Sequence, residues 1–226
     1  MVAPVLRRGR RRDAGRLAAA AGYAQLGWPV CLGAYPPGQS MGRACSCDRI
    51  GCPAPAAHPM SPAWQLLAST EAGKVQQRWI DHPEANIVLP TGRVFDVLDV
   101  PAAAGSAALG AMRQAAVRTG PVAAGGGRAL FFVATRGAPE DEDEWWSCQL
   151  DCAPEEDAGE VTGLRWHCRN SFVLAPPSRD PFGAPARWLI PPPPDGPDLL
   201  PDALRLLEFL ADACEEETAR TSQEAL

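Results

Sequence analysis

A cluster of metal-ligand residue types constrains the fold of this chain more than any other sequence feature. Three thiols and one imidazole lie within fourteen positions, at Cys45, Cys47, Cys52 and His58, with the spacing C-x-C-x4-C-x5-H. Tetrahedral zinc takes four such sulfur and nitrogen donors, and the glycine and prolines between them supply turns. We therefore predict a structural zinc loop over residues 43–59, whose four protein ligands leave no position open for chemistry. The alternative is a set of ordinary half-buried cysteines or two disulfides.

The composition indicates a protein of a reducing compartment. Eight cysteines occur without an export signal, because the Ala-rich stretch after the basic N-terminus is typical of an amphipathic helix rather than of a signal peptide. Thiols in such a compartment bind metal or stay free, and we expect a cytoplasmic protein. The sequence has no apolar run of about 18 residues, which argues against a membrane span. Five further cysteines are predicted to be small core residues or isolated surface thiols: Cys31, Cys148, Cys152, Cys168 and Cys214.

The charge is acidic overall but unevenly distributed. A formal net charge of −6 differs from the positive face that is usual in nucleic-acid binders. Five arginines fall within residues 7–12, where they could neutralise phosphates. A solvated, disordered arm over residues 1–12 is nevertheless the more common outcome for such a run. The acids collect in residues 140–144, 155–157 and 215–217, and these runs are predicted to be solvated.

Hydrophobic periodicity and turn residues predict interleaved helices and strands. The predicted helices span residues 13–26, 71–80, 103–119 and 203–213. The predicted strands span residues 28–35, 86–89, 94–100, 129–134, 164–169, 171–175 and 188–190. We also predict a long acidic loop over residues 139–160 and a stiff Pro-rich linker over 191–201. Since strands and helices do not alternate strictly, the predicted class is α/β or α+β with a mixed sheet.

Short segments along the chain match, in order, those of one known family. They are residues 24–30 (AQLGWPV), the 45–59 loop, Trp79 with 82–87 (HPEANI), Thr91-Gly92, 97–100 (VLDV), 126–128 (GGR) and 173–178 (VLAPPS). Their order and spacing resemble the N-terminal domain of bifunctional DNA primase/polymerases, the prim-pol branch of the archaeo-eukaryotic primase superfamily. The resemblance covers residues 13–190 and leaves 191–226 as a linker and a C-terminal helix. It implies an RRM-like core with a mixed sheet, flanking helices, and a nucleotide and metal site on the sheet face.

The first catalytic motif that this resemblance implies is incomplete. In the family it is Asp-x-Asp or Asp-x-Glu at a strand end, where alternation puts both acids on one face. Together they hold the divalent cations that bridge the attacking and leaving oxygens. Here Asp99 is followed by Val100 and Pro101, so the second acid is absent, and Asp96 is expected on the opposite face. Asp99 is the remaining candidate catalytic acid, and Mg²⁺ or Mn²⁺ is expected only if the chain is active.

The second and third motifs depart from the family pattern as well. The family places a histidine after Gly-Gly-Arg, but Ala129 follows Arg128 here. Arg128 could still contact a phosphate, or it could be a surface arginine on a Gly-rich turn. The third motif supplies an acid near the Pro-Pro-Ser strand, and residues 164–169 contain none. His167 lies there instead, as a candidate nucleotide-binding residue or as a hydrogen-bonded, half-buried histidine.

Three functions remain open at this point. The favoured one is a stand-alone, catalytically degenerate prim-pol domain that binds a nucleotide or DNA. The second is an active primase/polymerase whose metal site combines Asp99 with Asp96 or with an acid from residues 140–144. The third is a protein-interaction module with a vestigial pocket, which recruits a replication protein or another partner. It would do so through the acidic loop, with Trp145 and Trp146, and the Pro-rich tail.

Overall fold

A computed structural model describes residues 4–38, 45–47, 49–135, 163–193 and 200–224. The chain divides into two compact units. The first comprises Met1–Pro90 and Val173–Arg187, and the second comprises Thr91–Phe172 and Trp188–Leu226. No helix of the described residues is long and apolar enough to cross a bilayer.

The described residues contain helices and strands in an interleaved order. The helices are α1 (Pro4–Gln25), α2 (Trp64–Leu67), α3 (Ala72–Asp81), α4 (Ala102–Gln114) and α5 (Ala203–Glu224). The strands are β1 (Cys31–Gly33), β2 (Asn86–Pro90), β3 (Phe95–Pro101), β4 (Val122–Gly125), β5 (Arg128–Ala134), β6 (Arg165–His167), β7 (Phe172–Ala175) and β8 (Arg187–Ile190). This arrangement confirms the expected α+β class with flanking helices.

The first unit is built on a three-stranded sheet with the order β1-β2-β7. β2 is buried along its whole length, since all five of its residues, NIVLP, are inaccessible. Helices α1 and α3 pack against each other, and the predicted apolar pair of α3, Val75 and Trp79, is buried. The indole Nε1 of Trp79 donates to the Ala85 carbonyl at 3.1 Å. This bond holds the chain at the point where it enters β2.

The second unit is built on a five-stranded sheet with the order β6-β3-β5-β4-β8. Asp99 of β3 lies opposite Leu130 of β5 and opposite Arg165 of β6. Helices α4 and α5 contribute to one core with this sheet. That core includes Leu98, Val100, Ala104, Ala108, Met112, Phe131, Trp166, Leu206 and Leu210. The C-terminal helix is therefore part of the second unit's core.

The strands form two antiparallel sheets, where the sequence predicted one mixed sheet. The physical reason lies in the β4–β5 hairpin, whose two loop residues, Gly126 and Gly127, have φ of 57° and 76°. Positive φ at both positions is what a type I′ hairpin turn requires. The hairpin inserts β5 between β3 and β4, so the two strands that α4 connects are not neighbours and form no parallel pair.

Several element boundaries differ from the prediction. Helix α1 begins at Pro4, so the backbone of residues 4–12 is helical where a disordered arm was expected; arginine is a good helix former. Helix α5 continues to Glu224, well beyond residue 213. The short helix α2 and strand β4 were not predicted. The predicted acidic loop over 139–160, with Trp145, Trp146, Cys148 and Cys152, lies outside the described residues.

Candidate functional site

The first unit brings the four predicted metal ligands together. One donor atom from each of Cys45, Cys47, Cys52 and His58 lies within 4.8 Å of all the others. Cys45 Sγ and His58 Nε2 are 3.3 Å apart. Zinc–sulfur and zinc–nitrogen bonds of about 2.3 and 2.0 Å set the edges of a zinc tetrahedron at roughly 3.5–3.8 Å. The Cys3His group therefore has the donors and the spacing to hold a metal ion.

Two backbone contacts orient the donors of this cluster. His58 Nδ1 lies 2.7 Å from the Pro59 carbonyl oxygen, which can only accept, so Nδ1 carries the proton and Nε2 presents its lone pair. Metal-bound histidines are held in this way by a carbonyl on the other ring nitrogen. The Ala56 N–H donates to Cys45 Sγ at 3.2 Å, which fixes the position of the sulfur. Outer contacts of this kind are part of the fit to a metal.

The thiols of the cluster have unequal acidity. A hydrogen bond from the Arg49 backbone, aided by the neighbouring ligands, lowers the pKa of Cys47 to about 7. Desolvation, with contributions from Cys47 and Cys45, raises the pKa of Cys52 to about 11. At neutral pH a metal therefore finds Cys47 about half ionised but must displace the proton of Cys52.

The second unit brings together the three other predicted site residues, Asp99, Arg128 and His167. Asp99 lies near the end of β3 and is 6% exposed. Arg128 begins β5, directly after the Gly126–Gly127 turn, and His167 ends β6. Both neighbouring strands pair with β3, so the register of the sheet delivers both side chains to Asp99. The geometry thus makes one site of residues that lie 68 positions apart.

Arg128 is the closest partner of Asp99. Its Nε donates to Asp99 Oδ1 at 2.6 Å, and its Nη2 donates to the Asp99 carbonyl at 3.0 Å and to the Gly163 carbonyl at 3.2 Å. The two side chains are 10% and 8% exposed. The third nitrogen, Nη1, is buried and has no hydrogen-bond partner among the described residues. Arg128 is a buried ion-pair partner here rather than a surface arginine on a turn.

His167 contacts the other carboxylate oxygen of Asp99. Its Nε2 lies 3.2 Å from Asp99 Oδ2, and its Nδ1 lies 2.9 Å from Ser171 Oγ. Ser171 lies in the connection between β6 and β7, so this bond fixes the ring across a tight turn. The side chain of His167 is 16% exposed, which makes it the most accessible member of the group. His167 is hydrogen-bonded and half-buried, and it also faces the candidate acid.

Asp96 faces away from this group. It is 2% exposed, and its Oδ2 accepts a hydrogen bond from Trp166 Nε1 at 3.2 Å. Because side chains alternate along a strand, residues three apart point to opposite faces. Asp96 therefore does not supply the second acid beside Asp99. The acids of residues 140–144, the other source considered, lie outside the described residues.

The charge balance of the group differs from that of a two-metal site. Asp99 contributes one negative charge and Arg128 one positive charge, so the pair is neutral before His167 is counted. Divalent cations need a surplus of carboxylate oxygens around them. Here each oxygen of Asp99 already accepts from a nitrogen of a neighbouring strand. The arrangement suits an ion pair, and an anion placed beside it would meet two nitrogen-bearing side chains.

Sequence reasoning missed Ser171 and Gly163 as members of this group. Ser171 could have been found, because it follows His167 by four positions across a predicted turn, a spacing that permits a side-chain contact. Gly163 contributes only its carbonyl oxygen. A backbone acceptor carries no residue-type signal, so its role depends on the fold alone.

Comparison with known proteins identifies the family. A sequence model described as "Bifunctional DNA primase/polymerase, N-terminal" matches residues 20–203. This match spans most of the chain and includes both groups of site residues, so the chain belongs to the Prim-Pol family. The comparison with curated proteins gave no match. A function related to DNA primase/polymerase follows from the membership.

Proposed function

We propose that this chain is a catalytically degenerate Prim-Pol domain, which binds a nucleotide or nucleic acid without polymerising it. The observation that carries the proposal is the engagement of Asp99. Arg128 and His167 each occupy one of its carboxylate oxygens, at 2.6 and 3.2 Å. The position two residues on, where the family carries its second acid, is Pro101. A lone carboxylate that is already neutralised attracts divalent cations weakly.

Energetics argue against a simple exchange of Arg128 for metal ions. Breaking a buried ion pair by removing one partner leaves an uncompensated charge and costs about 3–5 kcal/mol. A metal ion would have to offset this cost with one carboxylate as its only acidic ligand from the described part of the chain. A phosphate does not require the Asp99–Arg128 pair to separate, and it need only displace one hydrogen bond of His167, whose ring nitrogens contact Asp99 and Ser171. Nucleotide binding is therefore favoured over metal-dependent transfer.

The test separates binding from chemistry. Purified protein is incubated with a primed and an unprimed single-stranded DNA template, all four dNTPs, and Mg²⁺ or Mn²⁺, and extension products are resolved on a gel. We expect no extension, together with dNTP binding detected by calorimetry and weakened several-fold in His167→Ala. Extension that is lost in Asp99→Asn would instead establish an active polymerase with a rearranged metal site.

A variant in which family residues are restored tests the same proposal through a gain of metal binding. Pro101→Asp and His167→Asp together return the acids that the first and third family motifs carry, whereas Ala129 faces the core beside Gly105 and is left unchanged. If the loss of these acids is the cause of inactivity, the double variant gains Mn²⁺ binding that the parent lacks. Mn²⁺ binding is read by electron paramagnetic resonance, independently of any turnover. The matched control is Leu66→Asp, which places an acid at an exposed position of α2 outside the group.

We further propose that the Cys3His cluster holds zinc, as a structural ion. Three thiolates and one imidazole are the donor types that zinc prefers, and the His58 tautomer is fixed for coordination. Metal analysis of protein purified without added metal is expected to give one zinc per chain, and Cys47→Ser is expected to lose it. Free thiols at the six described cysteines fit a reducing compartment, and the cytoplasm is the proposed location.

A further inference from the structure

Two large apolar side chains of the first unit are fully exposed at loop tips. Ile50 is 103% exposed and Phe182 is 95% exposed. Single exposed apolar residues are common on protein surfaces and need no explanation by themselves. Ile50 and Phe182 differ from such single residues, because both lie in loops that hydrogen-bond to the same buried residue.

The loop that carries Phe182 is closed by hydrogen bonds from Asp180. Its Oδ1 accepts from the Phe182 N–H at 3.0 Å and from the Ala184 N–H at 2.8 Å. Its backbone N–H donates to the Ala184 carbonyl, and its carbonyl accepts from Gly183, whose φ is 84°. The ring is thus presented on a fixed backbone, and little entropy is lost when a partner binds it.

The loop that carries Ile50 lies between two of the metal ligands, Cys47 and Cys52. Arg49 and Gly51 beside it are exposed as well. A metal on the cluster would clamp both ends of this loop, so its tip would be fixed like that of Phe182.

Asn86 anchors both loops at one point of β2. It is completely buried, and its Nδ2 donates to the Ala56 carbonyl at 2.9 Å and to the Arg179 carbonyl at 2.8 Å. Its Oδ1 accepts from the Arg179 N–H at 2.8 Å. Ala56 belongs to the metal loop and Arg179 to the Phe182 loop. The two loops therefore start side by side from a single amide.

We propose that these loops form a surface for single-stranded nucleic acid, in which Phe182 stacks on a base and Ile50 gives a second apolar contact. Arg49 and Arg179 flank the two tips, and neither makes an ion pair with the described residues. Single-stranded nucleic acids bind surfaces that combine exposed aromatic side chains with cations, because the bases stack on the rings and the phosphates pair with arginine. The proposal rests on the nucleic-acid binding proposed above, but it uses other residues than Asp99.

The experiment measures anisotropy of a fluorescein-labelled oligo-dT of about twelve residues, within the usual span of such sites. Phe182→Ala is expected to bind about tenfold more weakly, Phe182→Trp at least as tightly as the parent, and Phe182→Leu nearly as weakly as Phe182→Ala. Arg179→Ala is expected to lower the slope of log affinity against log salt by about one. The matched control is Leu66→Ala, since Leu66 is 87% exposed on α2, outside both loops. Because the Phe182 side chain is exposed, its replacement is expected to leave the fold intact, and the melting temperatures of all variants check this.

The outcomes separate this proposal from the proposed function. If Phe182→Ala binds the oligonucleotide as tightly as the parent and Leu66→Ala, the stacking surface is wrong. Equal affinity of Phe182→Leu and Phe182→Trp would overturn stacking in favour of simple apolar contact. Binding of dNTP without binding of oligo-dT would overturn this surface alone. Binding of oligo-dT that depends on Phe182, without dNTP binding, would support the surface and contradict the nucleotide site at His167.

Discussion

At Asp99, the carboxylate is held by side chains from both neighbouring strands, and the proposed function depends on this engagement. The sequence predicts that Asp96 lies on the opposite face, because it is an odd number of positions away, and Asp96 does contact Trp166 instead. The sequence did not predict that Arg128 pairs with Asp99. Arg128 was weighed as a phosphate contact or a surface residue, and its pairing with Asp99 depends on the β3–β5 register, in which Pro101 lies opposite Arg128. Local patterns do not specify register between strands joined by a long connection.

The first prediction concerns the Asp99–Arg128 pair. Arg128→Met leaves a buried carboxylate with only His167 beside it, and we expect the free energy of unfolding to fall by about 3–5 kcal/mol. The double variant Arg128→Met/Asp99→Leu removes both charges and is expected to be clearly more stable than either single variant. Urea denaturation followed by circular dichroism measures each step. Additive losses in the double variant would show that the two groups do not interact.

The second prediction concerns thiol reactivity in reduced, metal-free protein. Burial raises the pKa of Cys31 to about 12, whereas hydrogen bonding, led by the Arg49 backbone, lowers the pKa of Cys47 to about 7. Since the thiolate is the reactive form, the ionised fraction of Cys47 rises from about a tenth at pH 6 to about nine tenths at pH 8. Iodoacetamide with peptide mass spectrometry is expected to label Cys47 first, with a rate that follows this rise. Labelling of Cys31 is expected only after unfolding, and its labelling at pH 7 in folded protein would contradict the burial.

At the scale of elements, long periodic segments were predictable and short ones were not. The apolar pair Val75 and Trp79 located α3 to within one residue at each end. Strand β4 has only four residues, VAAG, of which two are buried, too few for a period-two pattern to stand out. Its existence depends on the glycine turn that pairs it with β5. Because β4 was not predicted, the β4–β5 hairpin that separates β3 from β4 in the five-stranded sheet was not predicted either.

The third prediction concerns the turn between β2 and β3. Gly92 has φ of 81°, and a Cβ there would lie 2.2 Å from Arg169 Cα. Gly126 also has positive φ, 57°, but a Cβ there meets nothing within 4 Å. Gly126→Ala is therefore expected to cost about 1–2 kcal/mol, the conformational penalty alone. Gly92→Ala must also displace backbone, and we expect a loss of stability at least twice as large.

Chemical denaturation of both glycine variants under identical conditions checks this difference. The pair shares the substitution and the sign of φ, so the difference isolates the close approach of the Arg169 backbone. Equal losses would mean that the 168–170 segment moves aside freely. In that case, the hydrogen bond from Thr91 Oγ1 to the Cys168 carbonyl, at 2.6 Å, would not be a firm tether.

For the whole molecule, the sequence identified the family, and the fold brings the members of each group of candidate residues together. The spacing of Cys45 to His58 is local, so one loop suffices to bring the ligands together. Asp99 and His167 come from strands far apart in the chain, and only the sheet order places β6 beside β3. A distant histidine therefore occupies the neighbourhood where an acid was expected. The sequence shows this histidine, but its contact with Asp99 becomes visible only once the strands are paired.

The last prediction concerns the metal and its dependence on pH. Because desolvation raises the pKa of Cys52 to about 11, zinc must displace at least one proton at any pH near neutrality. Zinc affinity is therefore expected to rise about tenfold per pH unit for each proton released. The increase in melting temperature that zinc gives should accordingly be larger at pH 8 than at pH 6. Chelator should lower the melting temperature of the parent protein, and added zinc should restore it.

Scanning calorimetry of the parent and of Cys47→Ser, with zinc or with chelator at both pH values, makes the measurement. Cys47→Ser removes one of four ligands, so its melting temperature should respond little to either addition. Calorimetric titration in buffers of different ionisation enthalpy counts the protons released directly. Stabilisation by zinc that is equal at the two pH values would contradict displacement of the Cys52 proton. Equal stabilisation of Cys47→Ser would place the ion at other residues than the Cys3His cluster.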